Sequence, residues 1–187
     1  MPTIVHGFDW PDRFVTGTVG APGSRTFYLQ ARAGKQLVSV ALEKQQSAAL
    51  AAGVDSLLDD LMAAEGNPYS IPRIAPDGLA DDAPLEQPVV EQFRAGTMTL
   101  AWDSSNAQVI IQAVPVEDES DPGHAEQEDP EQVLVVRIPV GAARAFADRA
   151  RKVVNAGRPI CPICDEPIEA DGHTCELPDD LRPDDFE

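Results

Sequence analysis

The chain has no apolar run of about eighteen residues, the length a bilayer-crossing helix needs. Its first ten residues, Met1-Pro-Thr-Ile-Val-His-Gly-Phe-Asp-Trp, lack the basic region and apolar stretch of a secretory leader. A cytoplasmic location is the expectation, and thiols stay reduced there. Cysteine and histidine are scarce, at 3 residues each, and an odd number of cysteines leaves one over in any disulfide scheme. Positive charge is short as well. Against 32 Asp and Glu stand 14 Lys and Arg, a formal net charge of −18, which repels the phosphate backbone of nucleic acid. Nucleophile elbows, phosphate-cradling glycine loops and paired carboxylates that stand out from the acidic background are missing too.

The acidity is not evenly spread. Residues 117–131 carry eight acids and no base, and residues 176–187 carry six acids and one Arg. The remainder holds 18 acids against 13 bases, so the body is only mildly acidic. The two acidic stretches read as a solvated loop and tail. At 187 residues the chain suits one domain with a small appendage.

Periodicity gives the body. Strands are predicted at 13–20, 25–32 and 36–42, joined by Ala21-Pro-Gly-Ser24 and Ala33-Gly34-Lys35. A helical stripe follows over 43–64 at Leu50, Val54, Leu57, Leu58 and Leu61, read as one helix in which Gly53 is the place where a kink could fall. Residues 67–92 hold five prolines and are expected to wrap the body through Ile71, Ile74, Leu79 and Leu85. Strands at 93–103, 108–116 and 132–138 precede a second helix over 140–156, with Gly157 as its cap.

The order βββα thus occurs twice. Phe14-Val-Thr-Gly17-Thr18 pairs with Phe93-Arg-Ala-Gly96-Thr97, and Val40, Leu50 and Leu57 pair with Val136, Phe146 and Val153. The expected fold is α+β: two βββα meander halves, 13–64 and 93–156, form one or two antiparallel sheets covered by two helices. The body spans 1–157, a zinc knuckle 158–176 and an acidic tail 177–187. Arg144, Arg149, Arg151, Lys152 and Arg158 gather around the last helix, where cations complement its dipole.

All three cysteines lie in Cys161-Pro-Ile-Cys164-Asp-Glu-Pro-Ile-Glu-Ala-Asp-Gly-His173-Thr-Cys175. A Cys-x-x-Cys turn aims two thiolates at one ion, and zinc needs two further ligands to close a tetrahedron. His173 and Cys175 supply them after Gly172, which permits a tight return. The spacing predicts a structural Zn²⁺ site of Cys161, Cys164, His173 and Cys175, with the metal supplying the folding energy of this short segment. The one-residue spacer of His-x-Cys leaves the fourth position open to His6, His124 or a carboxylate. A redox Cys-x-x-Cys and a segment without special role are the alternatives; the motif lacks the βαβ setting of redox pairs. His6 near Asp9 and Asp12 is a conceivable acid–base pair, outweighed by an ordinary surface position.

Three stretches, Gly17-Thr-Val-Gly-Ala-Pro-Gly-Ser-Arg-Thr-Phe-Tyr-Leu-Gln-Ala-Arg32, Val40-Ala-Leu-Glu-Lys-Gln-Gln46 and Gly157-Arg-Pro-Ile-Cys-Pro-Ile-Cys164 with Gly172-His-Thr-Cys175, together resemble an uncharacterised actinobacterial family, a domain of unknown function. The resemblance implies no activity. Its genes lie beside those of a kinase-like protein, a histidine-phosphatase-like protein and a mycothiol-pathway ligase, which implies a shared pathway or complex. The leading expectation is a zinc-binding, non-enzymatic adaptor that docks a protein partner, with nucleic acid and membrane disfavoured. The alternatives are an enzyme with its site between the sheet and 67–92, near Arg25, Arg32, Glu43 and Lys44, and a thiol-responsive zinc sensor.

Overall fold

The computed structural model describes residues 2–21, 23–116, 130–157, 161, 163 and 168. The chain runs β1 (Ile4–Asp9), β2 (Arg13–Val19), β3 (Thr26–Ala33), β4 (Gln36–Leu42), α1 (Lys44–Met62), β5 (Glu91–Asp103), β6 (Gln108–Pro115), β7 (Gln132–Pro139) and α2 (Val140–Asn155), with a 3₁₀ turn at Asp77–Leu79. The class is α+β. The sheet, however, is mixed where an antiparallel one was expected. All seven strands lie in one sheet of order β1-β7-β6-β5-β4-β3-β2. The two meanders are antiparallel internally, but β4 joins β5 in parallel and β1 joins β7 in parallel.

β1 is the element that periodicity missed. Its run Ile-Val-His-Gly-Phe-Asp has a glycine at its centre and little alternation, and its partner β7 is remote in sequence. Only residues 10–12 separate β1 from β2, although the two strands form opposite edges of the sheet. Such a connection spans at most roughly 14 Å. The sheet must therefore curl until the Asp9 end of β1 lies near the Arg13 end of β2, and β1 does approach β3.

The registers show what this curl repeats. Thr16 stands opposite Leu29 and Leu100 opposite Ile111, while Leu29 faces Val40 and Ile111 faces Val136. Gly7 lies beside Val135 as Glu91 lies beside Ser39. β1 with β2 is thus the geometric counterpart of β5 alone. The halves match as Thr16 with Leu100, and the Gly17–Gly96 pairing that the short motifs suggest is out of step with this register.

Both helices cover one face, over a core that includes Phe8, Leu29, Val40, Ile111 and Val136 from the sheet and Leu50, Val54, Leu58, Phe146 and Ala147 from the helices. Helix α1 begins where the Gln46 side chain accepts the Glu43 backbone N–H (2.7 Å) and donates to Ala95 O and Gly96 O (3.1 and 2.8 Å), tying the first turn to β5. It runs unbroken through Gly53. A Cβ there would lie 2.8 Å from Leu100 Cδ1, so a larger residue would make the end of the Leu100 side chain shift. Helix α2 is capped at Ala156, not at Gly157.

Residues 67–92 wrap the body as expected, but with fewer anchors. Ile71 and Leu85 are buried, whereas Ile74 and Leu79 are exposed. Leu85 sits on β2 where Gly17 has no side chain; a Cβ there would come within 2.6 Å of Leu85 Cγ. Beside it Gln30 holds the strap by its backbone, accepting from Glu86 N–H (2.8 Å) and donating to Glu86 O (3.1 Å).

Candidate functional site

Two places carry chemistry. The first is the root of the cysteine segment. α2 ends with unpaired carbonyls, and the Arg25 guanidinium donates to Val153 O and Ala156 O (3.2 and 3.0 Å) while lying over the Phe27 ring at 5.0 Å. Lys44 Nζ would be 3.6 Å from a Cβ on Gly157. Two cations therefore complement the negative end of α2 where the chain leaves the body. Cys161 is buried. The backbone N–H of Ile163 donates to its Sγ at 3.5 Å. The sulfur stands as a hydrogen-bond acceptor at the first position of the Cys-x-x-Cys turn. The donor chemistry of Cys161 thus suits one corner of a zinc site. Cys164, His173 and Cys175, like His124, lie outside the described residues. Among the described residues no three His, Cys, Asp or Glu side chains gather as a metal site.

The second place is a cleft of ≈ 280 Å³ between β2, α2 and the strap, lined by Trp10, Phe14, Leu79, Pro139, Phe146 and Arg149 among others. Its floor is apolar, with Phe14 stacked on Phe146 at 4.6 Å. Its rim carries Trp10, 61% exposed and held at φ 53°, a left-handed conformation that a bulky residue seldom adopts.

Charged groups close the inner wall. Arg149 is buried and donates from Nε to Thr16 O (2.7 Å), from Nη2 to Ala83 O (2.8 Å), and from Nη1 to both the carbonyl and the carboxylate of Asp81. Arg13 donates through Nε and Nη2 to the same carboxylate (2.6 and 3.0 Å) and also reaches Ala83 O. The hydrogen bond from Arg13 holds the Asp81 carboxyl below its ordinary range, and the bond in turn raises Arg13. Burial lowers Arg149, with the charge of Asp81 opposing it. Arg13, Asp81 and Arg149 were not singled out from sequence as a site. Arg149 did carry a signal: it continues the stripe Ala142, Ala145, Phe146 at helical spacing.

The residues singled out from sequence do not converge. Arg25 and Lys44 meet at the end of α2. Arg32 bridges Glu86 and Asp12 (2.8 and 3.1 Å), and Glu43 pairs with Arg94 (2.8 Å). His6 is hydrogen-bonded to Gln132 (2.9 Å), Asp9 accepts from Gln108 (2.9 Å), and Asp12 binds Arg32 and the Gly34 N–H, so the His6–Asp9–Asp12 grouping does not form. The basic set of α2 is no open patch either. Arg144 is buried between Asp55 and Asp59 of α1 (2.8 and 2.7 Å), Arg151 pairs with Asp55 and Asp148, and Lys152 with Asp82. Among the described residues no helix is long and apolar enough to cross a membrane.

A family model described as "Protein of unknown function (DUF3090)" matches residues 6–175. No curated protein and no solved structure matches the chain.

Proposed function

The chain belongs to the DUF3090 family, and from its residues we propose that it is a zinc-binding docking protein that carries out no reaction of its own. The observation that carries the metal part is the Ile163 amide aimed at the buried Cys161 sulfur, at the head of a Cys-x-x-Cys turn followed by His173 and Cys175. Zinc at Cys161, Cys164, His173 and Cys175 is a closed, structural site. It fixes a knob at the end of α2, where Arg25 and Lys44 anchor its base. The charged groups of the body favour docking over turnover, because Arg13, Arg32, Arg144 and Arg149 are each spent on carboxylates and backbone carbonyls that hold the strap and helices in place.

The test is metal content and binding on the full chain. About one zinc per chain is expected, lost in Cys161→Ser. The kinase-like and phosphatase-like proteins implied by the family resemblance are the partners to try first. Equal partner affinity for wild type and Cys161→Ser would remove the knob from the docking role. A second reading, an enzyme with its site in the cleft, is favoured by the strained, exposed Trp10 at the rim. It predicts that a small-molecule ligand quenches Trp10 fluorescence, against the unchanged emission expected from docking elsewhere.

A further inference from the structure

The turn between β1 and β2 is held in a costly conformation where it lines the cleft. Trp10 lies at φ 53°, a left-handed backbone that a bulky residue seldom adopts, and it is 61% exposed. The turn is fixed from both sides. The Trp10 N–H donates to Arg137 O (3.0 Å), and the Asp12 carboxylate accepts from the Gly34 N–H (2.7 Å) and from Arg32 (3.1 Å). Burial does not offset the strain, since most of Trp10 stays outside the core. Leu79, 46% exposed, is a second lining residue left outside the core. Its turn sits close to α2 where Gly141 has no side chain. A Cβ there would lie 3.3 Å from Leu79 Cδ1 and 3.4 Å from Pro76 Cγ. Two exposed apolar side chains thus line the cleft together with the stacked Phe14 and Phe146.

We propose that the cleft is a binding site for an uncharged, planar aromatic small molecule of one or two rings. Its space of ≈ 280 Å³ lies just below the range of about 300–1,000 Å³ that suits drug-sized ligands, which sets the size. The charged groups of the lining set the charge. Arg13 and Arg149 donate to Asp81 and to the carbonyls of Thr16, Asp81 and Ala83, and Asp12 is held by Arg32 and Gly34. An anion finds these guanidinium donors committed, and a cation meets two guanidiniums, so either leaves water without a partner. Pro11 and Pro139 bring no amide donor to the lining. The aromatic rings set the shape, because a flat ring packs edge-to-face or offset against an indole and a phenyl pair. This inference goes beyond the docking reading. It rests on the cleft of the second reading and gives it an occupant without requiring turnover.

The test is an NMR titration of the ¹⁵N-labelled full chain with three probes of one shape: 2-naphthamide, 2-naphthoate and 2-naphthylmethylammonium. The amide probe is expected to shift the indole N–H of Trp10 and the backbone amides of Ala142 and Ala145. The indole of Trp102, which does not line the cleft, is expected to stay in place. The amide probe is expected to bind about tenfold or more tightly than either charged one. Ala145→Leu fills the cleft and is expected to weaken binding about tenfold or more. Trp10→Gly takes φ 53° without strain. It is expected to be at least as stable as wild type in urea, yet to bind about tenfold more weakly, followed at Ala142 and Ala145. The proposal falls if a charged probe binds as well, if either variant binds unchanged, if the shifts lie away from the cleft, or if none appears at about 1 mM probe. It falls equally if the blocked peptide N-acetyl-Ala-Phe-Ala-amide binds more tightly than 2-naphthamide, which would make a partner's side chain the occupant. Binding of an unreactive probe decides the site whether or not the cleft performs a reaction. Cys161→Ser is expected to bind 2-naphthamide as wild type does, so the zinc reading and this one fail separately.

Discussion

β1 and β2 are the two ends of one sheet, and they are finished in opposite ways. At β2 the outward carbonyl of Thr16 accepts from the buried Arg149, α2 packs alongside, and the strap seats Leu85 on the strand's face at Gly17. At β1 the outward peptide groups of Val5, Gly7 and Asp9 have no backbone partner among the described residues. A buried edge must have its backbone groups paired, because an unpaired buried carbonyl costs about 1–3 kcal/mol; an exposed edge carries no such demand. The sealed edge therefore belongs to stability, and the β1 edge carries less of it.

The comparison breaks if the sealed edge tolerates change. Arg149→Met removes the donors to Thr16 O, Asp81 O and Ala83 O. It is expected to cost about 3–5 kcal/mol of unfolding free energy in urea, as loss of one partner from a buried ion pair does. A cost below about 1 kcal/mol would show that the edge does not need its seal. Gly17→Ala forces a methyl into Leu85 and is expected to cost about 1–3 kcal/mol, with the strap amides of residues 84–87 exchanging faster.

Acid probes the same wall. The Asp81 carboxyl is held below its ordinary value of 3.8, first by Arg13, so its stabilisation is present above that value and fades as the pH falls through the lower folded value. Arg13→Gln is expected to be less stable than wild type at neutral pH, with the gap in urea midpoints narrowing below about pH 4. A gap constant down to pH 2.5 would place the role of Arg13 outside this pairing. The smallest effect is expected at the β1 edge. Val5→Lys should change stability by about 0.5 kcal/mol or less. A cost comparable to that of Arg149→Met would mean that β1 is covered after all.

Much of the body was legible from pattern alone. The six strands of the meanders and both helices fall within a few residues of their predicted bounds, because turn residues and a change of period from two to 3.6 mark them locally. β1 was not legible. Its glycine and short length hide it, and its partner is set by a parallel contact across most of the chain. Of the site residues, Arg149 sits on the apolar stripe of α2, where a charge signals a buried partner. Trp10, Arg13 and Asp81 gave no such sign, since they come together only when the β1–β2 connection and the strap arrive at the same end of α2.

The sequence by itself determined the six meander strands and both helices, the uneven distribution of acid, and the Cys161–Cys175 cluster, all of which depend on neighbours within a few residues. The tertiary structure decided how each edge of the sheet is finished, that Arg144 and Arg149 of α2 are buried struts, and where a cleft forms. Those outcomes depend on the curl that residues 10–12 impose on the sheet, and a short connection between opposite edges is a constraint on the whole chain that no local pattern records.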